Sequence, residues 1–239
     1  MQSPSCHHAP AAPMFTVLVR LVADAALVAL LLFVSAGTLS WWRAWVLVAV
    51  LLAVRTVSAV AVYRVNPALL QERARLPIHG DQPRTDKLLL LAVLATGFMG
   101  LPVIAGLDVF RWHLLPPPAP LLSNLGLALF TLGWGIKGLA LRTNAFATAV
   151  VRLQPERQHA VVDAGVYGII RHPFYAGTPL VLVGLGLWLE SYTSVLFAVV
   201  PIALLVVRLT LEERFLRREL PGYSEYAVRV PHRLIPGIW

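Results

Sequence analysis

An all-α, polytopic membrane protein is the fold class this sequence predicts, and three observations carry the prediction. Apolar residues make up 58% of the 239 and charged residues only 13%, about half the usual charged share. Mean hydropathy is +0.72. The apolar residues fall in runs long enough to cross a bilayer, and Lys and Arg collect in alternate connections between those runs. A soluble domain of this size could not cover its core with so little polar surface. A disordered chain, a disulfide-built secreted scaffold and an ordinary soluble enzyme are therefore excluded.

Residues 1–14 read as a disordered polar leader. It holds Cys6, the sole cysteine, so neither a disulfide nor a thiolate metal cluster is expected, and His7 and His8 read as part of a frayed tail. No Lys or Arg precedes the first apolar run, which argues against a cleaved signal peptide. Residues 15–120 are expected to be N-terminal scaffold helices. Within them, 15–37 can cross the ~30 Å hydrocarbon layer at ~1.5 Å per residue. Residues 41–63 form a second span, with Trp41, Trp42 and Trp45 as an aromatic belt at one end. A polar, proline-broken stretch at 64–87 leads to a third span at 88–107, which Pro102 should kink. The run Pro116-Pro117-Pro118-Ala119-Pro120 cannot be helical and predicts a stiff connector.

Residues 121–239 carry the remaining spans and the polar motifs. A fourth span occupies 121–141. After a polar loop, 173–189 and 192–208 form a close-set apolar hairpin of two short arms, giving about six crossings, and a charged tail runs from Thr210 to Trp239. Fifteen Lys and Arg fall in the 64–87 connection, the 142–172 connection and the region from 208 onward, against Arg43 and Arg111 in the alternate connections. That bias places those three regions and both termini in the cytoplasm. It also accounts for the formal charge of +8 without any nucleic-acid partner. Inside the spans, Arg20 and Asp24 are spaced to pair, and Arg55 and Lys137 should snorkel to the interface.

The polar residues of the second half follow spacings that apolar packing does not require. The run from Gln158 through His159, Ala160, Val161, Val162 and Gly165 to Tyr167 leads into Arg171-His172-Pro173-Phe174-Tyr175-Ala176-Gly177. Pro173 suits the first position of a helix and holds His172 out of the helical region. His172, Arg171 and the helix start together predict a corner for an anion, and Tyr167 and Tyr175 offer faces for a cation. A zwitterionic ligand satisfies both. Arg208 and Glu212 lie one turn apart on one helix face. In isolation they would be a surface ion pair worth ~0.3–0.5 kcal/mol, but they end an apolar span at the level of the His172 corner.

The order of these motifs from about Leu132 to Trp239 resembles the isoprenylcysteine carboxyl methyltransferase and phospholipid methyltransferase superfamily. The resemblance rests on the His159–Val162 run, Gly165-x-Tyr167, Arg171-His172-Pro173-x-Tyr175-x-Gly177, Arg208-x-x-x-Glu212-Glu213, and Tyr223-x-x-Tyr226 followed by Val230-Pro231 and Pro236. It implies S-adenosylmethionine as methyl donor, held without a Rossmann fold in a cytoplasmic C-terminal region. It implies donor contacts at His159, Ala160, Val161, Val162, Tyr167, His172, Pro173, Phe174, Tyr175 and Glu212. Arg208 would hold the acceptor, and Arg208 and Glu212 would carry the catalysis, with no metal. The chain departs from the pattern at Arg152, where the eukaryotic carboxyl methyltransferases have Gln, and at Glu219-Leu220-Pro221-Gly222, which replaces a Phe-Gly ahead of the last tyrosines.

The acceptor implied is lipidic or a small molecule. Carboxyl methylation of an isoprenylcysteine-like lipid leads, with N-methylation of a phospholipid headgroup and S-methylation of a small thiol as alternatives. A carboxylate needs no general base, whereas an amine or thiol would need Glu212 or Glu213. Two readings from other classes compete. An NADPH-dependent sterol-type reductase would share the architecture, although Gly184-x-Gly186 reads as helix packing rather than a dinucleotide loop. A transporter or other non-enzymatic membrane protein would set its polar residues at the bilayer midplane, not at one edge.

Overall fold

A computed structural model describes residues 14–74, 84–148 and 157–239. Residues 1–13 of the leader, Arg152, and Pro77 and Pro83 of the first polar stretch lie outside these residues, whereas Met14 is already helical. Among the described residues eight α-helical elements follow in order, α1 (Met14–Ala36), α2 (Trp42–Tyr63), α3 (Pro67–Ala74), α4 (Arg84–Trp112), α5 (Pro120–Thr143), α6 (Pro173–Trp188), α7 (Tyr192–Glu219) and α8 (Tyr223–Arg229), with a short 3-10 turn at Gly165–Gly168 before α6. Among the described residues there is no strand. Five helices, α1, α2, α4, α5 and α7, are long and apolar enough to cross a membrane. The protein is a polytopic helical membrane protein.

The remaining apolar segment, α6, has 16 residues, about 24 Å of helix. The expected hairpin of two short arms is therefore unequal. Its second arm does not stop at Arg208 but continues as helix to Glu219, because the polar residues beyond Arg208 find buried partners instead of solvent.

The third span bends as Pro102 requires, though not by a simple kink. The Leu94–Gly100 segment widens into π-helical turns just before the proline, and the Leu101 amide bonds to the Thr96 carbonyl. A wider turn takes up the ladder position that proline cannot fill. The Pro116–Ala119 stretch is non-helical, and Pro120 opens α5.

Glycines set a close contact between α5 and α6. A Cβ on Gly133 would lie 2.6 Å from the Gly177 carbonyl oxygen, and one on Gly184 would lie 2.6 Å from that of Gly126. These pairs let α5 and α6 meet backbone to backbone, so Gly184 is a packing residue, as its position in an apolar run suggests. The main core, which includes Leu32, Leu47, Leu101, Phe130 and Leu189, joins α1, α2, α4, α5 and α6.

The two ends of the bundle differ as the charge count predicts. At one end Asn66 bonds to the Arg142 carbonyl at 3.2 Å, Arg73 to that of Ala147 at 2.7 Å, and Arg208 to Asp86 at 2.8 Å. The three basic regions thus meet each other. At the opposite end Arg43 pairs with Glu190 at 2.9 Å, and Ser191 donates to Asp108 at 2.6 Å.

Candidate functional site

At the basic end lies a cavity of about 630 Å³. Its polar pole is built around the start of α6. His172 sits at φ −126°, ψ 59°, outside the helical region, and Pro173 takes the first helical position, as the sequence predicts. Tyr175, one turn in, donates its hydroxyl to Glu212, and Arg208 donates to the same hydroxyl oxygen at 2.9 Å. Arg208 also holds Asp86 at 2.8 Å. The i,i+4 pair of α7 is therefore not a surface ion pair, since Arg208 is buried and a tyrosine bridges the two residues.

Above this group, His159 stacks on Phe146 with centroids 4.5 Å apart and an interplanar angle of 29°. Gly165 takes φ +55°, which turns the chain so that Tyr167 is buried against the pole. Of the expected site residues, His159, Ala160, Val161, Val162, Tyr167, His172, Phe174, Tyr175, Arg208 and Glu212 all line the one cavity. Pro173 is fully buried behind it.

The expected anion corner is built differently. Arg171 lines the cavity but commits its guanidinium to the Val230 carbonyl at 2.6 Å and to Glu213 at 2.8 Å. Burial holds the His172 imidazole down to about 4, against the opposing pull of Glu213, so it is neutral at pH 7. Its Nε2 is buried with no hydrogen-bond partner among the described residues. Glu213 faces away from the cavity and binds Arg171, Arg217 at 3.0 Å and Arg233 at 2.5 Å, so it is a structural hub and not a base at the site.

The departure at Glu219–Gly222 does not prevent the tail from docking. Leu220 is buried, and Gly222 at φ +81° opens α8. The amides of Arg171 and His172 bond to the carbonyls of His232 and Arg233, each at 3.0 Å. Tyr226 donates to the Tyr167 carbonyl at 2.7 Å, and Tyr223 and Tyr226 wall the cavity.

Residues from the first half complete the site. Asp86 anchors Arg208. Arg73 lies over the Phe174 ring at 4.8 Å. Burial lowers its guanidinium to about 10, and it remains cationic at neutral pH. Lys137 does not snorkel. It is buried, donates to Thr178 at 2.7 Å and lies 3.8 Å from the Phe174 ring centroid, because the glycine contact draws α5 against α6 around it. Arg20 pairs with Asp24 at 3.2 Å as expected, but Arg55 shares that carboxylate at 2.7 Å and also faces the cavity. Beyond them the cavity continues as an apolar arm past Leu21, Leu51, Leu94, Phe98 and Leu185. Among the described residues no cluster of His, Cys, Asp or Glu could hold a metal.

Residues 122–221, which carry most of this cavity's polar pole, match the phospholipid methyltransferase family. The match is confined to that segment of the chain. Around that segment the chain is similar to protein-S-isoprenylcysteine O-methyltransferase B of Arabidopsis thaliana, 34% identical over 113 residues, which cover 46% of this chain and 57% of the relative. A probable protein-S-isoprenylcysteine O-methyltransferase of Oryza sativa subsp. japonica is 35% identical over 119 residues, covering 48% of this chain and 62% of the relative. The cobalt-zinc-cadmium resistance protein CzcN of Cupriavidus metallidurans is 31% identical over 100 residues, with 41% and 45% covered. The chain thus spans about half to three-fifths of the length of these relatives. The matched residues omit α1 to α4, so Asp86, Arg73 and the Asp24–Arg55 pair lie outside them.

Proposed function

We propose that this protein is an S-adenosylmethionine-dependent membrane methyltransferase that O-methylates the carboxylate of a lipidic acceptor, with its site on the cytoplasmic face. One observation carries the reading: a single cavity has a polar, aromatic pole at the basic end and an apolar arm running between the helices. A small zwitterionic donor suits the pole, and a lipid chain suits the arm.

The residues present fit such a donor. Glu212 offers a carboxylate to its ammonium or ribose. The neutral His172 imidazole lines the same pole. The stacked Phe146–His159 pair and the faces of Tyr167, Phe174 and Tyr175 suit a purine ring and a sulfonium. When bound, S-adenosylmethionine supplies an activated methyl group. The chain's own residues supply alignment and dryness. Tyr175 ties Glu212 to Arg208, so the donor wall and the acceptor wall keep a fixed spacing. Arg208, braced by Asp86, orients the acceptor. A carboxylate acceptor is ionised at neutral pH and no proton has to move.

Calorimetry of the purified protein in neutral detergent tests the reading, with S-adenosylhomocysteine as ligand and NADPH as comparison. Saturable binding of S-adenosylhomocysteine and none of NADPH is expected. The reverse would favour the sterol-type reductase.

A further inference from the structure

We infer that Lys137 and Arg73 form the site that recognises the acceptor's anionic headgroup, a carboxylate or phosphate oxyanion, at the junction between the polar pole and the apolar arm. The inference rests on the methyltransferase reading above and deepens it.

The charges around the cavity single out this pair. Arg171 is neutralised by Glu213 and Arg208 by Asp86. Arg20 and Arg55 share Asp24. Lys137 and Arg73 remain. Both lie against the Phe174 ring, at 3.8 Å and 4.8 Å from its centroid. Their polar contacts are the Thr178 hydroxyl and the Ala147 carbonyl respectively, and among the described residues neither forms an ion pair. Two basic groups held over one ring in a buried wall oppose each other's charge, and an anion between them removes that cost.

A second observation on the same wall points to a ligand. The Trp134 Nε1 atom is buried with no hydrogen-bond partner among the described residues. That indole lies under both Arg55, at 5.3 Å, and Lys137, at 5.6 Å. A donor group with nothing to bond, beside Lys137, which forms no ion pair among the described residues, fits an oxyanion with several lone pairs.

Position explains the choice of acceptor over donor. Thr178 lies one turn further along α6 than Phe174, and Trp134 nearly one turn from Lys137 on α5. The pair therefore stands on the side of the pole that opens into the apolar arm. An amphiphile with its chain in that arm would carry its headgroup to this point. Because Arg208 has given its charge to Asp86, the charge that selects an anionic acceptor comes from Lys137 and Arg73.

The test measures binding of dodecanoate, dodecyl phosphate and methyl dodecanoate to full-length protein in neutral micelles at fixed mole fraction. Wild type should bind at least one of the two anions tenfold or more tighter than the neutral ester. Whichever anion binds tighter names the headgroup class, carboxylate or phosphate. Lys137→Met and Arg73→Gln should each reduce the preference to threefold or less and leave the ester unchanged. Should Lys137→Met fail to fold, Arg73→Gln, at a less buried position, carries the test. Equal binding of all three amphiphiles by wild type, or a folded variant that keeps the full preference, would overturn the inference. S-adenosylhomocysteine binding in the same samples separates the two readings. Its absence removes the donor reading alone, and loss of anion preference with donor binding intact removes this one alone.

Discussion

Removing the Glu213 carboxylate should cost more stability than any other single change at the basic end. Its side chain is 3% exposed and serves Arg171, Arg217 and Arg233 together, at 2.8, 3.0 and 2.5 Å. Glu213→Ala strands the Arg171 guanidinium, itself 3% exposed. Breaking a buried pair in this way costs about 3–5 kcal/mol. Arg171 keeps the carbonyls of Val230 and Ala227, and Arg217 and Arg233 can turn to solvent, so the lower bound of about 3 kcal/mol applies. Glu213→Gln retains acceptor capacity without the charge and should cost about 2 kcal/mol. Arg217 is 43% exposed, so Arg217→Ala should cost under ~1 kcal/mol. Reversible unfolding in mixed micelles, followed by tryptophan fluorescence, measures all three. The tail should also become protease-sensitive in Glu213→Ala, since Arg171 ties it to the start of α6. A Glu213→Ala cost no larger than that of Arg217→Ala would refute the hub.

Three further outcomes are expected. The His172 pKa falls from 6.5 unfolded to about 4 folded, so the unfolded chain takes up the proton first as pH falls. Stability is then lost on acidification from 6.5 to about 4, by up to roughly 3 kcal/mol; unfolding of His172→Asn over that range should show a shallower loss than wild type, and parallel curves would contradict the burial argument. Glu212→Gln should mainly raise the donor's Kd, whereas Arg208→Lys should spare donor binding and lower single-turnover methyl transfer, because Lys cannot hold Asp86 and Tyr175 in one plane; equal, small effects on both quantities would detach the pair from the chemistry. Cysteines placed at 158 and 225 should resist an impermeant reagent in intact cells and one at 113 should react, and labelling at 158 would invert the proposed orientation.

Much of the helical framework was legible because apolar runs and arginine placement are local signals. The Pro173 start, the Tyr167 wall and the Glu212 position followed from motif spacing. Asp86 and Arg73 did not, since a polar, proline-broken stretch reads as a loop whether or not it folds back, and Asp86 meets Arg208 across 122 positions. Lys137 was misjudged for a related reason. Snorkelling assumes a helix face toward lipid, and only the Gly133–Gly177 contact reveals that this face is covered. Arg171 shows the converse limit: charge and proximity to a helix start suggested a ligand contact, but residues 42 to 59 positions later in the chain supply its partners.

Because α5 and α6 touch backbone to backbone, inherited variation in this protein cannot be judged by distance from the polar pole. Gly126 and Gly184 lie among lipid-depth residues, and Gly184 is nine positions from Tyr175, about 13 Å along the helix. A methyl group added at Gly184 has no flexible side chain to displace, only the Gly126 carbonyl and the Phe130 backbone. α6 would have to move as a rod, carrying His172 and Tyr175 with it. An alanine variant there would be scored as conservative by chemistry and as remote by position, and would still displace the start of α6.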